Sequence, residues 1–300
     1  MGEMPPADDL VAAFQLDQAP VTGRIVRLGP AIHEVLTRHA YPAPVANLLG
    51  EACVLAALVG SSLKMEGRLI VQAQGSGPVA YVVADYDTAG GLRGYCRFDA
   101  ERVASVSGGL AWPGARTLLG DGVFIMTLDQ GPPLGRHQGV TAIEGETLAL
   151  CAESYFAQSE QVPTRVRLAV GETLDAAGAT TWRAGGLLIQ ALAGDEVRAA
   201  DPDGWRRAEA LFATLGEDEL IDPDTPADRL LYRLFHEDGV RLHTPRPLSA
   251  VCRCSEARIL DMLRTFSADE RSQMVEPDGQ IRVTCEYCSR VYLLAPEGVG

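Results

Sequence analysis

Two closely spaced cysteine pairs near the carboxyl end, Cys252-Arg-Cys254 and Cys285-Glu-Tyr-Cys288, constrain this 300-residue chain more than any other feature. Four of its seven cysteines fall within the 37 residues from 252 to 288, whereas Cys53, Cys96 and Cys151 are scattered through the first half. A Cys-x-Cys pair, a gap of thirty residues and a Cys-x-x-Cys pair supply four soft ligands, enough to close a tetrahedral site around one zinc ion. A module of about 50 residues buries little apolar surface, so ligation worth on the order of 10–16 kcal/mol is what would hold it folded.

Local patterns around the cysteines support a small module over residues 248–300. From Glu256 to Phe266, Ile259, Leu260, Leu263 and Phe266 share one helical face, and Ser267 with Glu270 makes a capping box for a second short helix. Pro277-Asp278-Gly279 is a turn, and Ile281 and Val283 before Cys285, then Val291 to Leu294 after Cys288, predict a zinc-ribbon-like hairpin. Such a site can be structural and permanently closed. It can equally be a switch, because zinc-bound sulfurs are thiolates, the form oxidants attack, and each pair is close enough in sequence to bridge with its neighbour and eject the metal. A bridge between positions two apart closes a small strained ring, a property of labile, regulatory disulfides.

Length predicts about two domains. Forty acidic against 26 basic residues leave a formal charge of −14, which argues against nucleic acid, where affinity comes from phosphate neutralisation, and against anionic lipid. No secretory signal is readable in the first 30 residues, which predicts a cytoplasmic protein. The most apolar stretch, Val45 to Val59, is interrupted by Asn47 and Glu51 and falls short of the roughly 18 residues of a membrane span, so it predicts a buried helix.

Residues 1–195 predict a mixed α+β domain with a mainly antiparallel sheet. Strand patterns occur at Arg68 to Gln74, Val79 to Ala84, Leu92 to Phe98, Val123 to Leu128, Arg165 to Val170 and Gly186 to Leu192, and helical ones at Pro30 to Arg38, Pro44 to Leu63 and Glu146 to Ser159. Residues 196–247 predict an acidic helical linker. From Asp195 to Asp238, 13 acids face five arginines. Two apolar stripes run through it, one with Trp205, Ala208, Phe212 and Leu215, the other with Leu230, Leu231, Leu234 and Phe235, the second helix starting on a Thr225 cap followed by Pro226. The stripes predict a face packed on the neighbouring domain, and self-repulsion and short helices predict that this packing is only marginal. Asp201-Pro202 and Asp222-Pro223 punctuate the segment.

Other motifs carry less. His33-Glu34 with His39 has the second histidine at i+6, where the rings diverge, so a zinc-protease motif is not formed. His137 reads as a loop residue, and His236 and His243 are not needed where four thiols fill the site. Gly75-Ser76-Gly77-Pro78 is a turn, too short for a dinucleotide fingerprint. No Gly-Lys-Ser/Thr phosphate loop exists, Lys64 being the sole lysine, which fits independence from ATP. Cys53, Cys96 and Cys151 read as buried, inert thiols. Two competing functions remain, a thiol-disulfide oxidoreductase using Cys285 and Cys288, and a zinc-ribbon nucleic-acid module that the charge disfavours.

The cysteine arrangement, together with Tyr41 to Pro44, Val71 to Pro78, Tyr155 to Arg165 (YFAQSEQVPTR), Ala184 to Gln190 and Leu231 to Asp238 (LYRLFHED), resembles the heat shock protein 33 family of redox-regulated chaperones over nearly the whole chain. The resemblance implies an ATP-independent holdase, not an enzyme, inactive while reduced with one zinc on Cys252, Cys254, Cys285 and Cys288. It implies that oxidation forms disulfides Cys252–Cys254 and Cys285–Cys288, releases zinc, unfolds module and linker, favours a homodimer and exposes apolar surface to unfolding clients. Trp205, Leu211, Phe212, Leu215, Leu230, Leu231, Leu234 and Phe235 are the residues expected to be released or used in client capture.

Overall fold

The computed structural model describes residues 8–63, 66–174, 178–192 and 203–299. The expected boundary at residue 195, the Asp201-Pro202 break and Lys64 lie outside the described residues. The chain divides into two compact units, Met1–Ala250 and Val251–Gly300.

In chain order the first unit runs β1 (Leu10–Leu16), β2 (Val21–Leu28), α1 (Pro30–Thr37), α2 (Ala43–Gly60), β3 (Arg68–Gly75), β4 (Val79–Asp87), β5 (Gly91–Phe98), α3 (Ala100–Ser107), α4 (Ala115–Leu119), β6 (Gly122–Asp129) and β7 (Arg136–Ala142). It continues through α5 (Leu148–Tyr155), β8 (Thr164–Leu174), β9 (Thr180–Ala191), α6 (Gly204–Ala213), α7 (Glu217–Ile221) and α8 (Ala227–Phe235) to three short strands, β10 (Val240–Leu242), β11 (Arg246–Pro247) and β12 (Ser249–Ala250). One sheet has the order β10-β1-β2-β9-β8, with β11 also on β1, and the other β12-β5-β4-β3-β6-β7. Only β12 beside β5 is parallel, so the expected mixed, mainly antiparallel α+β fold is found.

Helix α2 lies in the main core with Leu48, Leu49, Val54 and Leu55 fully buried. At 18 residues it is long and apolar enough to cross a membrane, so length does not exclude a span as the sequence suggested; burial of 89% of it inside the fold is what identifies a core helix. The six expected strands all form. Six more among the described residues, β1, β2, β7 and β10 to β12, go beyond them, and β7 places His137 in an exposed edge strand instead of a loop. An edge strand with polar residues on both faces carries no alternation to betray it.

The first sheet is apolar on both faces. Along β1, Leu10, Ala12, Phe14 and Leu16 point to a second core, which α6, α7 and α8 complete with Phe212, Leu215, Leu220, Leu230, Leu231, Leu234 and Phe235. The linker segment is therefore packed into the first unit. The two expected stripes become α6 and α8, and the acidic run between them, which gave no apolar period, forms α7. Its backbone meets β9 at Gly185, where a Cβ would lie 2.2 Å from the Leu220 carbonyl oxygen, so no larger residue fits there.

The expected self-repulsion is offset locally. Arg165 pairs with Glu209, Arg207 with Asp238 at 2.5 Å and Arg233 with Glu219 at 2.6 Å. Thr225 does not cap α8, whose first turn follows Pro226; its hydroxyl donates to Asp222 at 2.6 Å. Proline carries the entry into α8 without help from a capping side chain.

The second unit contains α9 (Glu256–Leu263), α10 (Ala268–Gln273) and a hairpin of β13 (Ile281–Thr284) and β14 (Val291–Leu294). Ser255 caps α9, and Ser267 forms the expected capping box with Glu270. α9 stops at Leu263, leaving Phe266 beyond the helix. Ile259, Leu263, Ile281 and Leu294 are the buried core, four side chains in all among the described residues.

Candidate metal centre

Cys252 and Cys254 lie in the extended segment that leads into α9, and Cys285 and Cys288 occupy the tip of the β13–β14 hairpin. The tip is a tight knuckle. The Cys285 N–H donates to the Arg290 carbonyl at 2.9 Å, the Ser289 N–H donates to the Cys285 carbonyl at 2.8 Å, and Ser289 takes a left-handed φ of 57° to close the turn. Two sulfurs therefore come from a hairpin and two from a strap, a hairpin context unlike the helix start at which a redox-catalytic Cys-x-x-Cys sits.

The four Sγ atoms lie within 4.8 Å of one another, and all four cysteines are half-buried. Cys252 to Cys254 is 3.4 Å, Cys252 to Cys285 is 3.7 Å and Cys254 to Cys288 is 3.4 Å. These separations are far longer than a bond and close to the roughly 3.8 Å edge of a tetrahedron with Zn–S of about 2.3 Å. The donor set and spacing thus fit a closed, four-sulfur metal site. Among the described residues this is the one group of three or more His, Cys, Asp or Glu side chains whose ligand atoms converge, and no histidine enters it.

A fifth group touches the sulfurs. Tyr292 on β14, paired in register with Val283, donates its hydroxyl to Cys254 Sγ at 3.2 Å. No motif marks this contact beyond an aromatic residue four positions past the second pair. Burial raises the Cys252 thiol, but the Cys254 N–H and hydrogen bonds from the neighbouring sulfurs outweigh it and bring the thiol down to about 7, whereas burial pushes Cys288 up to about 12. The lowering at Cys252 favours its thiolate, the form of a cysteine that ligates metal and attacks oxidants.

The remaining thiols behave as expected. Cys53, Cys96 and Cys151 are buried; burial drives Cys53 and Cys96 well above the ordinary thiol range and Cys151 up to about 11. His33 accepts from the Trp182 N–H at 3.2 Å, and the His39 ring packs against Tyr41 and Tyr95 at 5.1 and 5.6 Å. The proposed client residues are gathered in the second core, Trp205 and Leu211 at its margin and Phe212, Leu215, Leu230, Leu231, Leu234 and Phe235 inside it.

The chain matches the family model described as "Hsp33 protein" over residues 9–295. It is 70% identical over 291 residues to a 33 kDa chaperonin of Caulobacter vibrioides, covering 97% of this chain and 96% of the relative. A 33 kDa chaperonin of Serratia proteamaculans is 37% identical over 286 residues, covering 95% and 91%. Among solved structures, the 33 kDa chaperonin (heat shock protein 33 homolog) of Thermotoga maritima superposes with a TM-score of 0.78 at 22% identity, covering 97% of this chain and 96% of that one.

Proposed function

The chain belongs to the Hsp33 family of chaperones, and on that premise we propose that it is a redox-regulated, ATP-independent holdase of the cytoplasm whose four-cysteine centre is the switch. The observation that carries this reading is the convergence of the Cys252, Cys254, Cys285 and Cys288 sulfurs within 4.8 Å of one another. In the reduced state these thiolates would hold one zinc per chain, which supplies the cross-link that four buried apolar side chains cannot. Tyr292 steadies Cys254 by its hydrogen bond.

Oxidation acts on the sulfurs. Within a pair, one thiolate attacks the peroxide or hypochlorous acid oxygen or chlorine to give an oxidised sulfur, and the second displaces water or chloride to form the disulfide. Each bridge takes two electrons from sulfur to the oxidant, which leaves as water, or as chloride and water. With Cys252 joined to Cys254 and Cys285 to Cys288, all four ligands are withdrawn and the module loses its cross-link. The last strand of the first unit ends at Ala250, two residues before Cys252, so loss of the module reaches α6–α8 through residues 240–250. Release of those helices uncovers the second core to unfolding clients and to a second copy of the chain.

The test pairs zinc content with aggregation suppression. Reduced protein should hold about one zinc per chain, and hypochlorous acid, or peroxide at elevated temperature, should release it while the protein gains the power to keep a thermally unfolding client soluble. Zinc release with no such gain defeats the reading. Catalytic reduction of insulin disulfides would transfer the function to an oxidoreductase.

A further inference from the structure

The face of the first sheet covered by α6–α8 carries four arginines among its apolar side chains. Register places them together: Arg27 of β2 and Ala169 of β8 both pair with Gly185 of β9, Ile25 and Arg167 both pair with Leu187, Arg165 pairs with Ile189, and Arg183 pairs with Gly171. Ile25, Ala169, Leu187 and Ile189 belong to the second core, so the arginines share its face.

Two of these guanidiniums are almost wholly buried, Arg27 at 1% exposure and Arg183 at 7%. Arg27 donates to the carbonyls of Glu219, at 3.1 Å, and Asp222, and its buried Nε has no hydrogen-bond partner. Arg183 donates through Nε to the Ile221 carbonyl at 2.7 Å and pairs with Asp8. Together they grip the last turn of α7, where carboxylates beside open carbonyls would otherwise oppose the helix dipole. Toward β8, Arg165 pairs with Glu209, and the Arg167 guanidinium stands 5.9 Å over the Phe212 ring. Four guanidiniums against the carboxylates of Asp8 and Glu153, which pair with Arg183 and Arg165, leave this face locally cationic on a chain of net charge −14, and the segment lying on it, residues 203–238, has ten acids against four arginines.

We propose that this face, once uncovered, docks client segments that combine an apolar helical face with carboxylates and open carbonyls at the helix C-terminal turn, the chemistry displayed by its resident segment from Gly204 to Asp222. This docking rests on the release of the linker proposed above. Apolar area attracts any unfolding chain, whereas guanidinium forks set among apolar side chains reward an acidic segment and penalise a lysine-bearing one. The selectivity runs against the bulk charge of the protein, which would repel acidic peptides.

The experiment uses the oxidised full-length chain and two fluorescein-labelled helical peptides of about 20 residues, identical in their apolar stripe, one with Glu and Asp and the other with Lys at the polar positions. Fluorescence anisotropy at low salt should show the acidic peptide binding roughly tenfold more tightly, a preference that shrinks at high salt. Arg165→Gln with Arg167→Gln, both partly exposed and therefore tolerated by the fold, should reduce the preference about threefold or more, and Arg183→Gln should do the same. Equal affinities, a preference for the lysine peptide, or a preference unchanged in these variants overturns the inference. If the same oxidised sample still suppresses client aggregation, only the docking chemistry falls; if it suppresses none, the switch and the docking fall together.

Discussion

The rings of Phe14 on β1 and Phe235 on α8 stack 5.9 Å apart at 24°, both wholly buried. The contact joins the first strand of the chain to the last linker helix, across more than two hundred residues of sequence. It ties linker to sheet by apolar contact alone, and neither ring belongs to the four-cysteine centre.

Phe235→Ala should therefore loosen the linker without oxidation. Truncating a buried Phe costs about 3–5 kcal/mol. The reduced variant should retain its metal, titrated with a chelator, yet suppress client aggregation to a level approaching that of oxidised wild type. Silence in that assay would mean that the covered face takes no part in client capture.

Gly185→Ala is a backbone counterpart. The added methyl would stand 2.2 Å from the Leu220 carbonyl oxygen, against main chain that cannot rotate away, so α7 must lift from β9. A loss of about 2 kcal/mol, the usual scale of overpacking, is expected. Limited proteolysis should show faster cleavage between residues 213 and 227 in the reduced variant than in wild type.

Tyr292→Phe removes the hydroxyl's hydrogen bond to Cys254 Sγ together with its contact to the Arg290 side chain. A net bond of about 1 kcal/mol translates into roughly fivefold faster metal release under hypochlorous acid, followed with a colorimetric chelator. An unchanged rate would leave the hydroxyl with no influence on the switch.

Glu51 gives the fold a dependence on pH. It lies 6% exposed on α2, its Oε2 has no partner, and it borders a cavity of about 320 Å³ shared with Glu209, Phe212 and Glu217. Burial first, and then the charge of Glu217, push its carboxyl up to about 8, against the opposing hydrogen bond from the Leu148 N–H. The folded state thus binds more protons than the unfolded one between the ordinary value of 4.5 and about 8, and its stability falls as pH rises through that window, by up to ~1.4 kcal/mol per unit. Glu51→Gln, which keeps the Leu148 contact, should flatten urea-denaturation stability of the reduced protein between about pH 5.5 and 8. A slope equal to wild type would show that the carboxyl is not the group responsible.

The metal centre was almost fully legible because its information is local: ligand type, spacing and the turn residues of the hairpin lie within a few positions of one another. Tyr292 escaped notice because a second contact to sulfur depends on strand register, which sets Tyr292 beside Val283 and carries no motif. The linker was half legible. Its apolar stripes announced α6 and α8, but α7 is made stable from outside, by Gly185 and the buried Arg27 and Arg183, partners far away in sequence. The acidic run, repulsive taken by itself, is offset by arginines of the linker, Arg207 and Arg233, and by Arg165 of the sheet. β1 and β2, apolar on both sides of a sheet that separates two cores, lack the alternation that marks a half-exposed strand.

The short strands at the end of the first unit join its two sheets, β10 and β11 bonding to β1 and β12 to β5. Eleven residues, Val240 to Ala250, thus form a seam stitched twice into one piece of cloth and once into the other. Force transmitted to Ala250 would meet two residue pairs on β5, then two and three on β1, so the stitch between the sheets would part first and the strand beside α8 last.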